Sequence, residues 1–175
     1  MLFRSGTMVE YAVNEYPAST VTDATVAEMH RFVKLAKTDA DFIKLVTYIV
    51  KNCPGRDDLC HLRRLYDVFY ARIKYLRDPY QVERVQSVWE TMDNRAGDCD
   101  DSSTLMAAAA GSIGYKYRFV TIKCDAARPE EWSHVFTQVY TPRNGIITLD
   151  ISLPKSNFNF LPTGIEEKLW AEPAY

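Results

Sequence analysis

The 175-residue chain predicts an α+β domain, with helices first and then an antiparallel sheet of at least three strands. Three observations carry that prediction. Apolar residues recur at helical spacing through roughly the first two thirds of the chain. After Gly114 the period changes to two. Pro142, Arg143, Asn144 and Gly145 then form a hairpin turn signal between two of the alternating segments.

The elements follow in order. The first twenty or so residues read as an extended or irregular lead. Thr22 and Asp23 can cap a helix to about residue 37, with Val26, Met29, Phe32, Val33 and Ala36 on one face. Thr38 and Asp39 cap a second, carrying Phe42, Leu45, Val46, Ile49 and Val50, and Asn52, Cys53, Pro54 and Gly55 stop it. A third is expected over residues 57–76 and ends before Pro79. Residues 80–96 read as irregular. Asp98 opens a helix to about Ser112, rich in Ala, Leu and Met. Strands are expected over residues 117–123, 134–141 and 146–151. The tail from Pro154 reads as a loop anchored by Phe158, Phe160, Leu161, Leu169 and Trp170.

Composition excludes several function classes. The chain carries 21 Lys and Arg against 23 Asp and Glu, so it lacks the cationic excess of a dedicated nucleic-acid binder. Its longest apolar run, residues 105–110, is too short to span a bilayer. Eleven Tyr, eight Phe and three Trp exclude a disordered coil. The four Cys form neither a disulfide framework nor a zinc-ligand pattern, and neither a metal nor a cofactor is expected. The start of the chain lacks a secretory pattern. The expectation is therefore a reducing cytoplasm with Cys53, Cys60 and Cys124 as structural thiols. Arg63, Arg64, Arg72 and Lys74 read as a solvated helix face.

Cys99 carries the chemistry. It follows Asp98, a good N-cap, and Asp101 stands where a capping box needs an acid. Cys99 then falls in the first helical turn, where unpaired N–H groups favour a thiolate and can hold an oxyanion. Asp98, Asp100 and Asp101 oppose that ionisation, so a cationic partner is required. Among three histidines, His134 opens a strand and is the expected base. Asp150, at the end of the next strand, is the expected orienting acid. Counting outward from a turn tip at residues 143 and 144 pairs Asp150 with residue 137. That leaves it roughly 10 Å from His134, so contact requires a bulge, a shifted register or a wider turn.

Ala96-Gly-Asp-Cys-Asp-Asp-Ser102, the small-residue helix after it, Trp132-Ser-His-Val-Phe136 and Leu149-Asp150 closely resemble the transglutaminase-like cysteine peptidase superfamily, best in its compact bacteriophage and bacterial forms. The resemblance runs from about Tyr66 to Ser152. It implies a papain-like fold, with Cys99 on a central helix and His134 and Asp150 on neighbouring strands. It divides one domain, residues 1–175, into a helical extension (1–65), a core (66–152) and a packed tail (153–175). It also implies a cysteine-dependent enzyme that forms a thioester with a carboxamide of a protein or peptide, by hydrolysis, Gln deamidation or transamidation. The alternative is a catalytically silent phage structural or host-interaction module on the same fold. The expected setting is a bacterial or phage-infected cytoplasm, or a virion. For the oxyanion or substrate wall the candidates are Asp98, Trp132, Gln86, Trp89 and Tyr75. No calcium-loop spacing is present, and the acidic run reads as helix capping. Oligomeric state is not encoded in any motif.

Overall fold

The structure is a computed structural model that describes residues 9–12, 18–79, 82–153 and 157–174. Its elements are β1 (Val9–Ala12), α1 (Ala18–Thr38), α2 (Ala40–Val50), α3 (Asp58–Tyr70), β2 (Lys74–Tyr75), β3 (Val82–Val85), α4 (Val88–Asn94), β4 (Ala96–Gly97), α5 (Cys99–Ser112), β5 (Lys116–Ile122), β6 (His134–Thr141), β7 (Gly145–Leu149) and β8 (Glu167–Ala171). The chain is α+β, as its periodicity predicts.

The centre of the molecule is α5. Every side chain from Asp100 to Gly111 is buried, so this helix has no solvent face. Its small residues Ala107–Ala110 let neighbours approach closely, and at Gly111 an added Cβ would meet the Lys37 side chain of α1 at 2.9 Å. On one side lie α1 and α2, which contribute Met29, Val33, Phe42 and Val46 to the core. On the other lies an antiparallel sheet in the order β7-β6-β5-β8. Val135, Val139, Ile147, Leu149 and Phe119 of that sheet join the same core. Two ribbons complete the fold: antiparallel β1–β3 and parallel β2–β4.

The structure corrects several expectations. The third helix stops at Tyr70, six residues short of its predicted end, because Lys74 and Tyr75 pair with Ala96 and Gly97 instead. The stretch expected to be irregular holds β3 and α4, and α4 is capped by Ser87, whose Oγ accepts from Glu90 N. Ser87 and Glu90 are themselves a helix-start signal in the sequence. The tail supplies β8, paired with β5. Phe158 packs edge-on against Tyr66, and Trp170 Nε1 donates to Thr121 Oγ1, but Phe160, Leu161 and Leu169 are exposed and anchor nothing. Cys53 and Cys60 are not free thiols. They form a disulfide across the α2–α3 connection, with Cα atoms 5.7 Å apart, because the two helices fold back on one another there.

Candidate active site

Cys99 is the first residue of α5, and Asp98 is its N-cap. Asp98 accepts from Asp100 N, and Asp101 reaches back to Asp98 N, which completes the expected capping box. Gly97 is required by this arrangement. A Cβ there would lie 2.6 Å from Asp101 Cβ, so the glycine makes room for the capping acid. Asp101 is buried and also accepts from the backbone N–H of Gln86 at 2.7 Å and from its side-chain amide. The start of α5 is thus tied to the residue after β3.

The seam between α5 and β6 sets the position of the thiol. Ser103, one turn after Cys99, donates from Oγ to Val135 O at 3.0 Å, and Thr137 Oγ1 donates to Ser103 O at 2.8 Å. The last β6 residue paired with β7 is Thr137, opposite Leu149, so β6 runs three residues beyond its partner. In that overhang the helix takes the place of the strand. Ser103 meets the Val135 carbonyl, and the Val135 N–H bears on the Cys99 sulfur.

His134 is the first residue of the overhang. It is buried, stacks on Phe136 and donates from Nε2 to Asp150 Oδ2 at 2.8 Å. Asp150 Oδ1 accepts from both N and Oγ of Ser152, which orients the carboxylate. The register explains how the pair meets. Thr141 pairs with Gly145 across a three-residue turn, and Gly145 has a φ of 69°. The count therefore shifts by one from the expected pairing. Continued past Leu149, it sets Asp150 against residue 136, on the same face of the sheet as His134 and diagonally adjacent to it. The wider turn supplies the contact that the simple count lacked.

The charges around the sulfur are negative. Burial, then the Asp98 carboxylate, push the Cys99 thiol well above its ordinary value, and Glu83 and Asp150 add to this; the Val135 N–H opposes it. The environment therefore favours a resting thiol, against the thiolate that the helix end alone would favour. Burial and Asp98 also raise Asp100 well above the usual carboxylate range, and raise Asp101 to about 8 in spite of the Gln86 donors. Glu83, which accepts from Thr25 Oγ1, is pushed up to about 7 by burial and by Asp98. Among the described residues, Asp98, Asp100 and Asp101 are the one group of three or more such side chains close enough to share a cation. Both Asp101 oxygens and Asp98 Oδ1 already accept N–H groups, so the cluster is organised for capping.

The five wall candidates separate clearly. Asp98 and Tyr75 lie within electrostatic reach of the thiol, and the half-exposed Tyr75 hydroxyl is held up by its burial and by the nearby Cys99 and Asp98. The Gln86 amide is committed to Asp101 and accepts from Asn94 Nδ2. Trp89 turns toward α2, donates to Asp39 Oδ2 and packs edge-on against Phe42. Trp132 lies under the Lys123 ammonium. The other histidines are engaged elsewhere: His30 with Tyr117, and His61 with Tyr115, whose hydroxyl donates to Asp58. Glu83 is the neighbour that sequence reading missed. It comes from β3, in a stretch without periodicity.

The sequence signature of the transglutaminase-like superfamily matches residues 43–151, from within α2 to just past β7. The chain belongs to the transglutaminase-like superfamily. The match starts upstream of Tyr66, so α3 and most of α2 lie inside it. Among solved structures, the chain is similar to a "putative cysteine protease" from Cytophaga hutchinsonii, with a TM-score of 0.50 and 18% identity over 75% of this chain and 46% of that one. It is also similar to a "putative protease" from Parabacteroides distasonis, with a TM-score of 0.48 and 8% identity over 79% of this chain and 32% of that one. The first likeness shows a shared fold. The chain spans less than half the length of either protein. No curated protein matches it by sequence.

Proposed function

We propose that Cys99, His134 and Asp150 act together in acyl chemistry on a carboxamide of a protein or peptide. The observation that carries this reading is the buried His134–Asp150 hydrogen bond, set one residue from the backbone N–H that bears on the Cys99 sulfur. Because the surroundings favour a resting thiol, the mechanism begins with general-base catalysis and does not need a preformed ion pair. His134 accepts the thiol proton through Nδ1 as the sulfur attacks the carbonyl carbon, and Asp150 stabilises the imidazolium. The oxyanion lies at the start of α5. There Asp100 N and Asp101 N are already bonded to carboxylates, so the Cys99 N–H and the Tyr75 hydroxyl are the donors we assign. The C–N bond breaks as the leaving nitrogen takes the proton from His134. A thioester remains, which water or an amine resolves with His134 again as base.

Hydrolysis of a peptide or isopeptide bond, Gln deamidation and transamidation share every step up to that thioester. We read residues 66–152 as the reacting core of one domain, supported by the helices before it and the tail after it. Between an infected cytoplasm and a virus particle, the Cys53–Cys60 disulfide favours the particle, because disulfides persist in oxidising surroundings. No helix among the described residues is long and apolar enough to cross a membrane.

The test is alkylation of Cys99 by iodoacetamide near neutral pH, followed by mass spectrometry. His134→Ala is expected to slow labelling by about 100-fold, the lower end of general-base effects, while Cys99→Ala abolishes it at that site. An unchanged rate in His134→Ala would overturn the triad and favour a silent binding module on this fold. That second reading has one observation behind it: among the described residues no hydrogen bond joins Cys99 to His134 in this conformation.

A further inference from the structure

A groove of about 1040 Å³ opens between α2, α3 and the β2–β4 ribbon, with α4 along one side. Its floor is apolar, formed by Leu45, Ile49, Phe69 and Met92. Its rim is cationic. Lys51, Arg64, Arg72, Lys74 and Arg95 line it, and no Asp or Glu does. All five are exposed, and none forms an ion pair with another described residue. Elsewhere in the chain acids outnumber bases, and several arginines are paired with carboxylates, as Arg63 is with Asp67 and Arg128 with Asp125. Three of the four residues that read from sequence as a solvated face, Arg64, Arg72 and Lys74, therefore collect with Lys51 and Arg95 around one apolar trough.

The groove also comes close to the candidate site in the chain. Lys74 and Ala96 line it and pair with each other across the ribbon. Tyr75 and Cys99 follow by one and three residues. Three residues of extended chain span at most about 11 Å, so this part of the lining lies within that distance of the candidate nucleophile along the backbone.

We propose that this groove docks an acidic, amphipathic segment of a polypeptide substrate. Its carboxylates would meet the five cations, which form no ion pair among the described residues although Lys51 lies 3.7 Å over the Tyr48 ring, and its apolar side chains would enter the floor. The floor is aliphatic apart from Phe69, and Tyr48, the other aromatic of the lining, carries the Lys51 ammonium over its ring, which suits leucine-like side chains better than a run of stacked bases. The opposite charge of the two regions gives a substrate polarity: acidic where it docks, and uncharged or basic where it reaches the thiol through Asp98 and Glu83. That this segment belongs to a substrate rests on the thiol chemistry proposed above; the docking itself does not.

The test uses the full chain carrying Cys99→Ala, so that binding is read without any reaction. The probe is a fluorescein-labelled peptide of Glu interspersed with Leu and Phe, measured by anisotropy. Its Lys counterpart and a single-stranded oligothymidylate are run beside it. Saturable binding of the Glu peptide is expected, weakened by added salt and weakened about tenfold by Arg64→Glu with Arg72→Glu. Circular dichroism on that exposed double variant checks that it folds. Equal binding of the Lys peptide, preference for the oligonucleotide, or no change in the folded variant would overturn the proposal. With the native thiol, a Glu peptide extended by a Gln-containing segment is expected to slow alkylation of Cys99. Binding that leaves that rate untouched would overturn the substrate assignment, even where His134→Ala shows the triad to be functional.

Discussion

Two regions a few residues apart treat charge in opposite ways. At the start of α5, acids are buried and held: Asp101 is 1% exposed and Asp100 is 3% exposed, and the buried Asp150 accepts from His134 and Ser152. In the groove beyond the β2–β4 ribbon, cations are exposed and form no ion pair with a described residue. The first region spends its carboxyl groups internally, on backbone N–H groups and on orienting a ring. The second leaves its charges available to something outside the chain. The difference separates positioning from recognition: a buried carboxylate with N–H donors holds geometry, whereas an open cation holds nothing until a ligand arrives.

The largest break in that comparison comes from Asp101→Ala. Three donors lose their acceptor at once: Gln86 N, Gln86 Nε2 and Asp98 N. Buried donors left without a partner cost about 1–3 kcal/mol each. Relief of repulsion with Asp98 offsets part of this, because Asp101 is itself pushed up to about 8. A net loss of about 3 kcal/mol is expected, read as a lower urea midpoint. A midpoint equal to that of the parent would mean that the box is not what fixes the helix start.

The next effect is one of pH. An unfolded Glu83 ionises near 4.5, but the folded side chain keeps its proton up to about 7. Between those values the folded state holds a proton that the unfolded chain has lost. Stability therefore falls as pH rises through that window, by up to about 1.4 kcal/mol per unit for one such group. Asp101 extends the same trend to about 8. Glu83→Gln removes one share of the slope and keeps an acceptor for Thr25 Oγ1. The loss of stability from pH 5 to pH 8 is expected to shrink by about 2 kcal/mol in that variant. An identical pH profile would show that Glu83 is solvated and is not a member of the acidic wall.

What the sequence revealed follows the range of the interactions. The capping box at Asp98 and Asp101 was legible because it lies within four residues, and the position of Cys99 followed from it. The periodic helices and the strands β5 to β7 were legible for the same local reason. The His134–Asp150 contact was not, because it depends on a turn one residue wider than the simplest count and on where β7 stops. The β2–β4 ribbon has two residues on each side and therefore no period to read. The Cys53–Cys60 bond required knowing that α2 and α3 double back. The groove was hidden for a related reason: Arg64 and Arg72 are ordinary surface residues until Lys51 and Arg95, from other elements, are brought beside them.

The smallest expected effect is the sharpest statement of the contrast. Arg64→Ala with Arg72→Ala removes two exposed side chains that bond to no other described group. Surface substitutions of that kind usually stay within about 0.5 kcal/mol of the parent. No buried partner is orphaned and no cap is lost, and removing like charge from a crowded cationic rim relieves repulsion. The urea midpoint at low salt is therefore expected to hold or to rise slightly, with any rise fading as salt is added. A clear fall in the midpoint would mean that these arginines hold the fold together as the acids of α5 do, and the division between a positioning region and a recognition region would then collapse.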